Sequence, residues 1–268
     1  MALKRKPLTA RTADKYELYE TAVYEPEADF DFIQKLFRRA RGGPARVLRE
    51  DFAGTSKLSA LWAARVPAGR AFAVDLDPEP LAWGRRRHIA PLGAAAARVR
   101  QIRADVRRVR TPSPDVVTAF NFSYWVFRER ATMLAYFHGV RRALQPGGAF
   151  FLDLMGGPDM QIEAEEKRRE KGFTYVWEQQ PMDGISQRMR CHIHFRFPDG
   201  TALRRAFSYD WRLWSVTELR DILHAAGFRR SEVYWEDADA RGRGTGVFRR
   251  RENAENETAW IAYLVGWK

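Results

Sequence analysis

A chain of 268 residues, 45% hydrophobic and 13% aromatic, has material for one large α/β domain or a domain with an elaboration. Its net charge of +12 comes from arginines scattered along the chain rather than gathered in one tail, which reads as a basic solvated surface more than a nucleic-acid arm. The single cysteine excludes a disulfide framework or a thiolate metal cluster, no apolar run reaches the ~18 residues of a membrane span, and the basic N-terminus lacks an apolar h-region, so a soluble cytoplasmic protein is expected.

Phe30, Ile33, Leu36 and Phe37 fall at helical spacing, and "RGGP" stops that helix. Residues 1–44 are therefore expected to form an N-terminal helical cap. A strand–helix rhythm follows. "ARVLRE" reads as a strand, "SKLSALWAAR" as a helix, "RAFAVDLD" as a strand and "EPLAWGRRRHIAP" as a helix with Pro80 in its first turn. "VRQIRADV" and "DVVTAFNFSYW" supply strands, "ERATMLAYFHGVRRAL" a helix ended by "QPGG", and "AFFLDLMG" another strand. Such alternation predicts a doubly wound, seven-stranded, mostly parallel sheet covered on both faces, a Rossmann-like α/β fold over residues 45–268. After Gly157 the period changes. Three long alternating segments predict a three-stranded antiparallel insertion at about 173–214, with "PDG" at 198–200 as a hairpin turn. "TELRDILHAAGF" resumes the helical period, and "SEVYWED" and "TAWIAYLVGW" close the sheet across a loop, "ADARGRGTGVFRRRENAENE".

The turn after the first strand, "LREDFAGTS", has neither G-K-[ST] nor G-x-G-x-x-G, so it is no phosphate cradle. Glu50, Asp75 and Asp105 each end one of three consecutive strands, at the sheet edge where ligands bind in such folds. An acid about 20 positions past a glycine turn is placed to accept both ribose hydroxyls. A row of acids suits a cationic nucleoside such as a sulfonium and repels a pyrophosphate.

These residues resemble the class I S-adenosylmethionine-dependent methyltransferases. That family's acid followed by G-x-G-x-G falls on Glu50, Phe52, Gly54 and Ser56, so its first and third glycines are replaced. "LQPGGAFFLD" matches its late L-x-P-G-G motif. The resemblance covers Val47 to Asp153 directly. It implies S-adenosylmethionine as cofactor, with Glu50, Phe52, Ala53, Gly54 and Thr55 in the cofactor loop, Asp75 at the ribose, and Leu76 among the cofactor contacts. It also implies Asp105 with Val106 at the adenine, and Asn121 beside the methyl group. The Phe52 ring is expected to turn aside and wall the methionine pocket.

The insertion's position is similar to that in small-molecule enzymes such as the glycine N-methyltransferases. The acceptor is therefore expected to be a small molecule, with an N or O nucleophile favoured over C or S. Its candidate contacts are Tyr16, Tyr19, Tyr124, His194, Tyr209, Trp211 and Trp214, with His194 or Tyr124 as base. No metal-ligand spacing appears, and none is expected. Two alternatives stay open: an RNA, DNA or protein methyltransferase using the basic surface, and a methyltransferase-like binding protein without activity.

Overall fold

The computed structural model describes residues 8–240 and 244–268. In chain order its regular elements begin with α1 (Lys15–Ala22), α2 (Pro26–Arg41), β1 (Val47–Asp51), α3 (Lys57–Arg65), β2 (Arg70–Asp75) and α4 (Pro78–Gly84). Next come β3 (Val99–Arg103), β4 (Val116–Ala119), α5 (Arg130–Ala143) and β5 (Ala149–Gly156). The antiparallel part holds β6 (Ala164–Glu170), β7 (Phe173–Gln179), β8 (Arg188–Arg196) and β9 (Ala202–Arg212). The chain closes with α6 (Val216–Ala225), β10 (Arg230–Ala238), β11 (Gly244–Arg250) and β12 (Trp260–Trp267). They divide into two compact units, one of residues 26–157 with 214–268, the other of 158–213 with the segment ending at Glu25.

The first unit holds one sheet in the order β11-β10-β12-β5-β4-β1-β2-β3, in which β1 to β5 run parallel and β10 to β12 antiparallel. Its central strands are buried on both faces, which explains their unbroken apolar runs: Val116, Val117, Phe150, Phe151 and Leu152 are all inaccessible to solvent. The doubly wound fold is as expected, but the sheet has eight strands rather than seven. The extra strand, β11, lies in the stretch read as a loop, of which residues 241–243 fall outside the described residues. Its alternation is invisible to an apolar pattern because it is an exposed edge strand held by Arg249 and Arg251 on Asp237 and by Arg250 near Glu232.

The second unit is the antiparallel sheet β6-β7-β8-β9 with α1. The insertion therefore has four strands over Ala164–Arg212, not three over 173–214. β6, "AEEKRRE", is almost wholly charged and exposed, so only its pairing with β7 across the Gly172 turn marks it as a strand. The "PDG" hairpin is present between β8 and β9, with Gly200 at φ +84°. The first 44 residues do not act as one cap. α1 buries Leu18 and Ala22 against Phe173, Ile193 and Phe195, while α2 stacks Phe32 on Tyr263 at 4.4 Å in the other unit.

Candidate functional site

β1 delivers the chain into the turn of residues 52–56, and there the backbone is left-handed at three alternate positions. φ is +58° at Phe52, +49° at Gly54 and +58° at Ser56. The loop thus keeps the shape glycines would adopt, although two of the three positions carry side chains. An L-residue in this region is strained by roughly 1–2 kcal/mol. Two bonds pin the turn to β2: Ala53 N–H donates to the Val74 carbonyl at 2.9 Å, and Gly54 N–H to Asp75 Oδ2 at 2.7 Å. The Phe52 ring turns toward Phe127 and Tyr136, with centroids 5.7 and 6.0 Å away. Ala53 and Thr55 are buried.

Glu50 serves the helix that follows. Its Oε2 accepts from the Ser59 N–H at 2.9 Å and the Ser59 hydroxyl at 2.5 Å. Ser56, at the N-cap of α3, makes no side-chain cap bond, so a carboxylate from β1 satisfies the first turn instead, where the helix dipole favours it.

Asp75 ends β2 half-buried. Its Oδ1 accepts from Asp77 N–H at 2.9 Å and its Oδ2 from Gly54. Burial, the largest influence, raises its pKa against the pull of those two N–H groups. Each oxygen has taken one of these backbone donors, so acceptor capacity remains for a ribose hydroxyl. Leu76 beside it is 68% exposed, an apolar surface next to that carboxylate.

Asp105 is engaged differently from expectation. Arg107 grips it through Nε at 3.0 Å, Nη2 at 2.6 Å and its backbone N–H at 2.9 Å, which holds the carboxyl below the usual carboxylate range. A base amino group would have to share Asp105 with this guanidinium. Val106 is buried.

The loop after β4 holds two more left-handed residues, Asn121 at φ +56° and Phe122 at +55°. Both backbone N–H groups donate to Asp153 of β5, at 2.7 and 3.0 Å. Burial is the main influence lifting Asp153 to about 7, Asp29 adds to it, and the two N–H groups oppose it. Asp153 was visible only as the last letter of a motif. Gln101 of β3 likewise escaped notice: its Nε2 reaches Ser56 Oγ at 3.0 Å and the Leu81 carbonyl at 2.7 Å, tying the loop to α4. Gly84 is the third residue missed. A Cβ there would lie 1.8 Å from the Thr55 carbonyl oxygen.

The acceptor candidates fall in both units. Tyr124 is fully buried and donates its hydroxyl to the Asp153 carbonyl at 2.7 Å, with burial driving its pKa well above 10. That makes it a core residue and no base. Trp214 is buried in the same unit. In the antiparallel sheet, Met189 pairs with Trp211 and Cys191 with Tyr209, so His194, on the alternate register of β8, faces the opposite side from Tyr209 and Trp211. His194 Nδ1 accepts from Arg205 N–H at 3.1 Å, and its Nε2 lies 3.0 Å from Glu178. Tyr16 and Tyr19 do join the aromatic face, through Phe207 at 6.0 and 4.9 Å, and Tyr209 stacks on Trp211 at 4.4 Å.

The carboxyl edge therefore offers a strained small-residue turn, an acid with free acceptor capacity and an exposed apolar neighbour, which fits an adenosine-bearing cofactor. Residues 51–152 match the family model described as a methyltransferase domain. The chain carries a methyltransferase domain. The fold is that of S-adenosylmethionine-dependent methyltransferases of known structure. An S-adenosylmethionine-bound amino pentose methyltransferase from Micromonospora echinaspora, involved in calicheamicin biosynthesis, is similar at 21% identity and TM-score 0.64, covering 94% of this chain and 97% of that one. An S-adenosylmethionine-dependent methyltransferase from Clostridium acetobutylicum ATCC 824 is similar at 18% identity and TM-score 0.66, covering 94% and 96%. A sugar N-methyltransferase from Streptoalloteichus sp ATCC 53650 is similar at 19% identity and TM-score 0.64, covering 100% and 96%. No curated protein matches the sequence. At these identities the likeness is one of fold, and it extends past the methyltransferase domain over nearly the whole chain.

Proposed function

We propose that this chain methylates an amine nitrogen of a small polar acceptor of amino-sugar type. The observation that supports the reading is the extent of the likeness, which takes in the antiparallel sheet as well as the methyltransferase domain, to structures described as an amino pentose methyltransferase and a sugar N-methyltransferase. S-adenosylmethionine, when bound, supplies an electrophilic methyl group on a sulfonium. Asp75 would accept the ribose hydroxyls, Leu76 would lie against the adenosine, and the turn of residues 52–56 would hold the methionine end. Asp153 holds the Asn121–Phe122 backbone in place. Catalysis is then alignment, for which proximity supplies up to ~7–11 kcal/mol. With the donor bound, a neutral amine would attack with its own lone pair, the S–C bond would break with its electrons on sulfur, and the ammonium proton would pass to water. This accords with a buried Tyr124 and a His194 already bonded through Nδ1. We assign acceptor recognition to the aromatic face bearing Tyr19, Tyr209 and Trp211, since flat rings suit the C–H face of a sugar.

The test has two arms. Labelled methyl transfer from S-adenosylmethionine is measured across a panel of amino sugars and their hydroxy counterparts, with the product position read by NMR. Label on nitrogen supports the proposal, and label on oxygen alone replaces it. Asp75→Ala is expected to weaken S-adenosylhomocysteine binding by ~1.5–3 kcal/mol in calorimetry. Unchanged affinity removes the cofactor placement, and no binding by the unaltered protein favours a non-catalytic role.

A further inference from the structure

At the opposite edge of the large sheet, where β5 begins and β12 ends, lies a cavity of about 520 Å³. Five cationic side chains line it: Arg41, Arg141, Arg229, Arg230 and Lys268. No acidic side chain does. They converge from four elements, the ends of α2 and α5, the start of β10 and the end of β12. We propose that this pocket is a second binding site, for a small soluble polyanion carrying two or more phosphate groups.

Arg141 and Lys268 are held in place by neutral carbonyl groups. Arg141 Nε donates to the Gly227 carbonyl at 2.5 Å. Lys268 Nζ donates to the Leu144 carbonyl, and to that of Arg142 at 3.3 Å. Arg230 lies over the Trp267 ring at 4.9 Å, with Glu232 at 3.4 Å. Neither Arg41 nor Arg229 has an ion-pair partner among the described residues. Gly147 completes the floor, because a Cβ there would fall 2.4 Å from the Arg41 guanidinium. The bland explanation of such arginines is a complement to helix carboxyl ends. It accounts for Arg41 and Arg141 in the last turns of α2 and α5, but Arg229, Arg230 and Lys268 belong to strand ends. The crowding is felt within the cluster: burial first, then Arg141, lowers the Lys268 pKa. The volume lies within the ~300–1,000 Å³ of small-ligand pockets, and guanidinium forks match phosphate oxygens. A concave pocket of this size suits a compact anion better than an extended nucleic-acid backbone.

The site lies away from the carboxyl edge, and its test does not depend on methyl transfer. Calorimetry at constant ionic strength compares tripolyphosphate, pyrophosphate and orthophosphate. One-site binding of tripolyphosphate, at least about tenfold tighter than orthophosphate, is expected. In Arg41→Gln/Arg229→Gln the affinity should fall at least about tenfold, with the thermal transition and S-adenosylhomocysteine affinity unchanged. Orthophosphate binding as well as tripolyphosphate, or equal tripolyphosphate affinity in the variant, overturns the proposal. So does tighter binding of a single-stranded RNA or of phosphoinositide-bearing vesicles than of tripolyphosphate, since either names a different partner.

Discussion

Phe52 and Ser56 hold a backbone conformation that costs an L-residue about 1–2 kcal/mol. Phe52→Gly and Phe52→Ala both delete the ring packed near Phe127 and Tyr136, and only alanine keeps the strain. Phe52→Gly is therefore expected to be the more stable of the two by about 1 kcal/mol, the reverse of the usual order of glycine and alanine. Equal urea midpoints would show that the turn relaxes instead. Asp153 supplies a pH signature. Its folded pKa of about 7 lies above the unfolded value of 3.8, so the folded state binds the extra proton between those values. Its contribution to stability is full below about pH 4 and is lost as pH rises through 7, by at most ~4 kcal/mol. Asp153→Asn has no such titration. The stability advantage of the unaltered protein over this variant should shrink between pH 5 and pH 8, and a constant difference in denaturation curves would contradict the assignment.

Among the elements, α4 and the cofactor turn meet with no space between them. The Gly84 position abuts the Thr55 carbonyl at a distance that no side chain tolerates, and Gln101 bonds both sides of this junction. Gly84→Ala should cost about 2 kcal/mol or more through overpacking against backbone, and it should weaken S-adenosylhomocysteine binding because the carbonyl that must move belongs to the cofactor turn. Denaturation and calorimetry on the same variant check both, and a stable variant with full affinity would mean that α4 shifts alone. The helix α3 shows a related dependence, since its amino end is capped by Glu50 from β1 rather than by its own N-cap serine.

For the whole molecule, the charge of +12 is the property most easily misread. At β11 the run Arg249–Arg251 is met by Asp237, Glu232 and Glu252, which leaves little net field for a phosphate backbone. Replacing all three arginines by alanine is expected to leave RNA retention in a gel shift unchanged at about 0.15 M salt. A steep loss would revive a nucleic-acid acceptor. Among the described residues no helix is long and apolar enough to cross a membrane.

Most of the order of strands and helices, the "PDG" hairpin and the placement of Glu50, Asp75 and Asp105 at or just past strand ends were legible in the sequence, because hydrophobic period and turn chemistry are local properties. β6 and β11 were not, because edge strands with charged faces carry no apolar period and exist through pairing with distant residues. What each acid does was also beyond the sequence. Glu50 caps a helix, Asp75 keeps acceptor capacity and Asp105 is gripped by Arg107, and these fates depend on which donors folding brings within about 3 Å. The side of the sheet that His194 faces was decided in the same way. Strand register is a tertiary fact, and a shift of one residue exchanges the two faces.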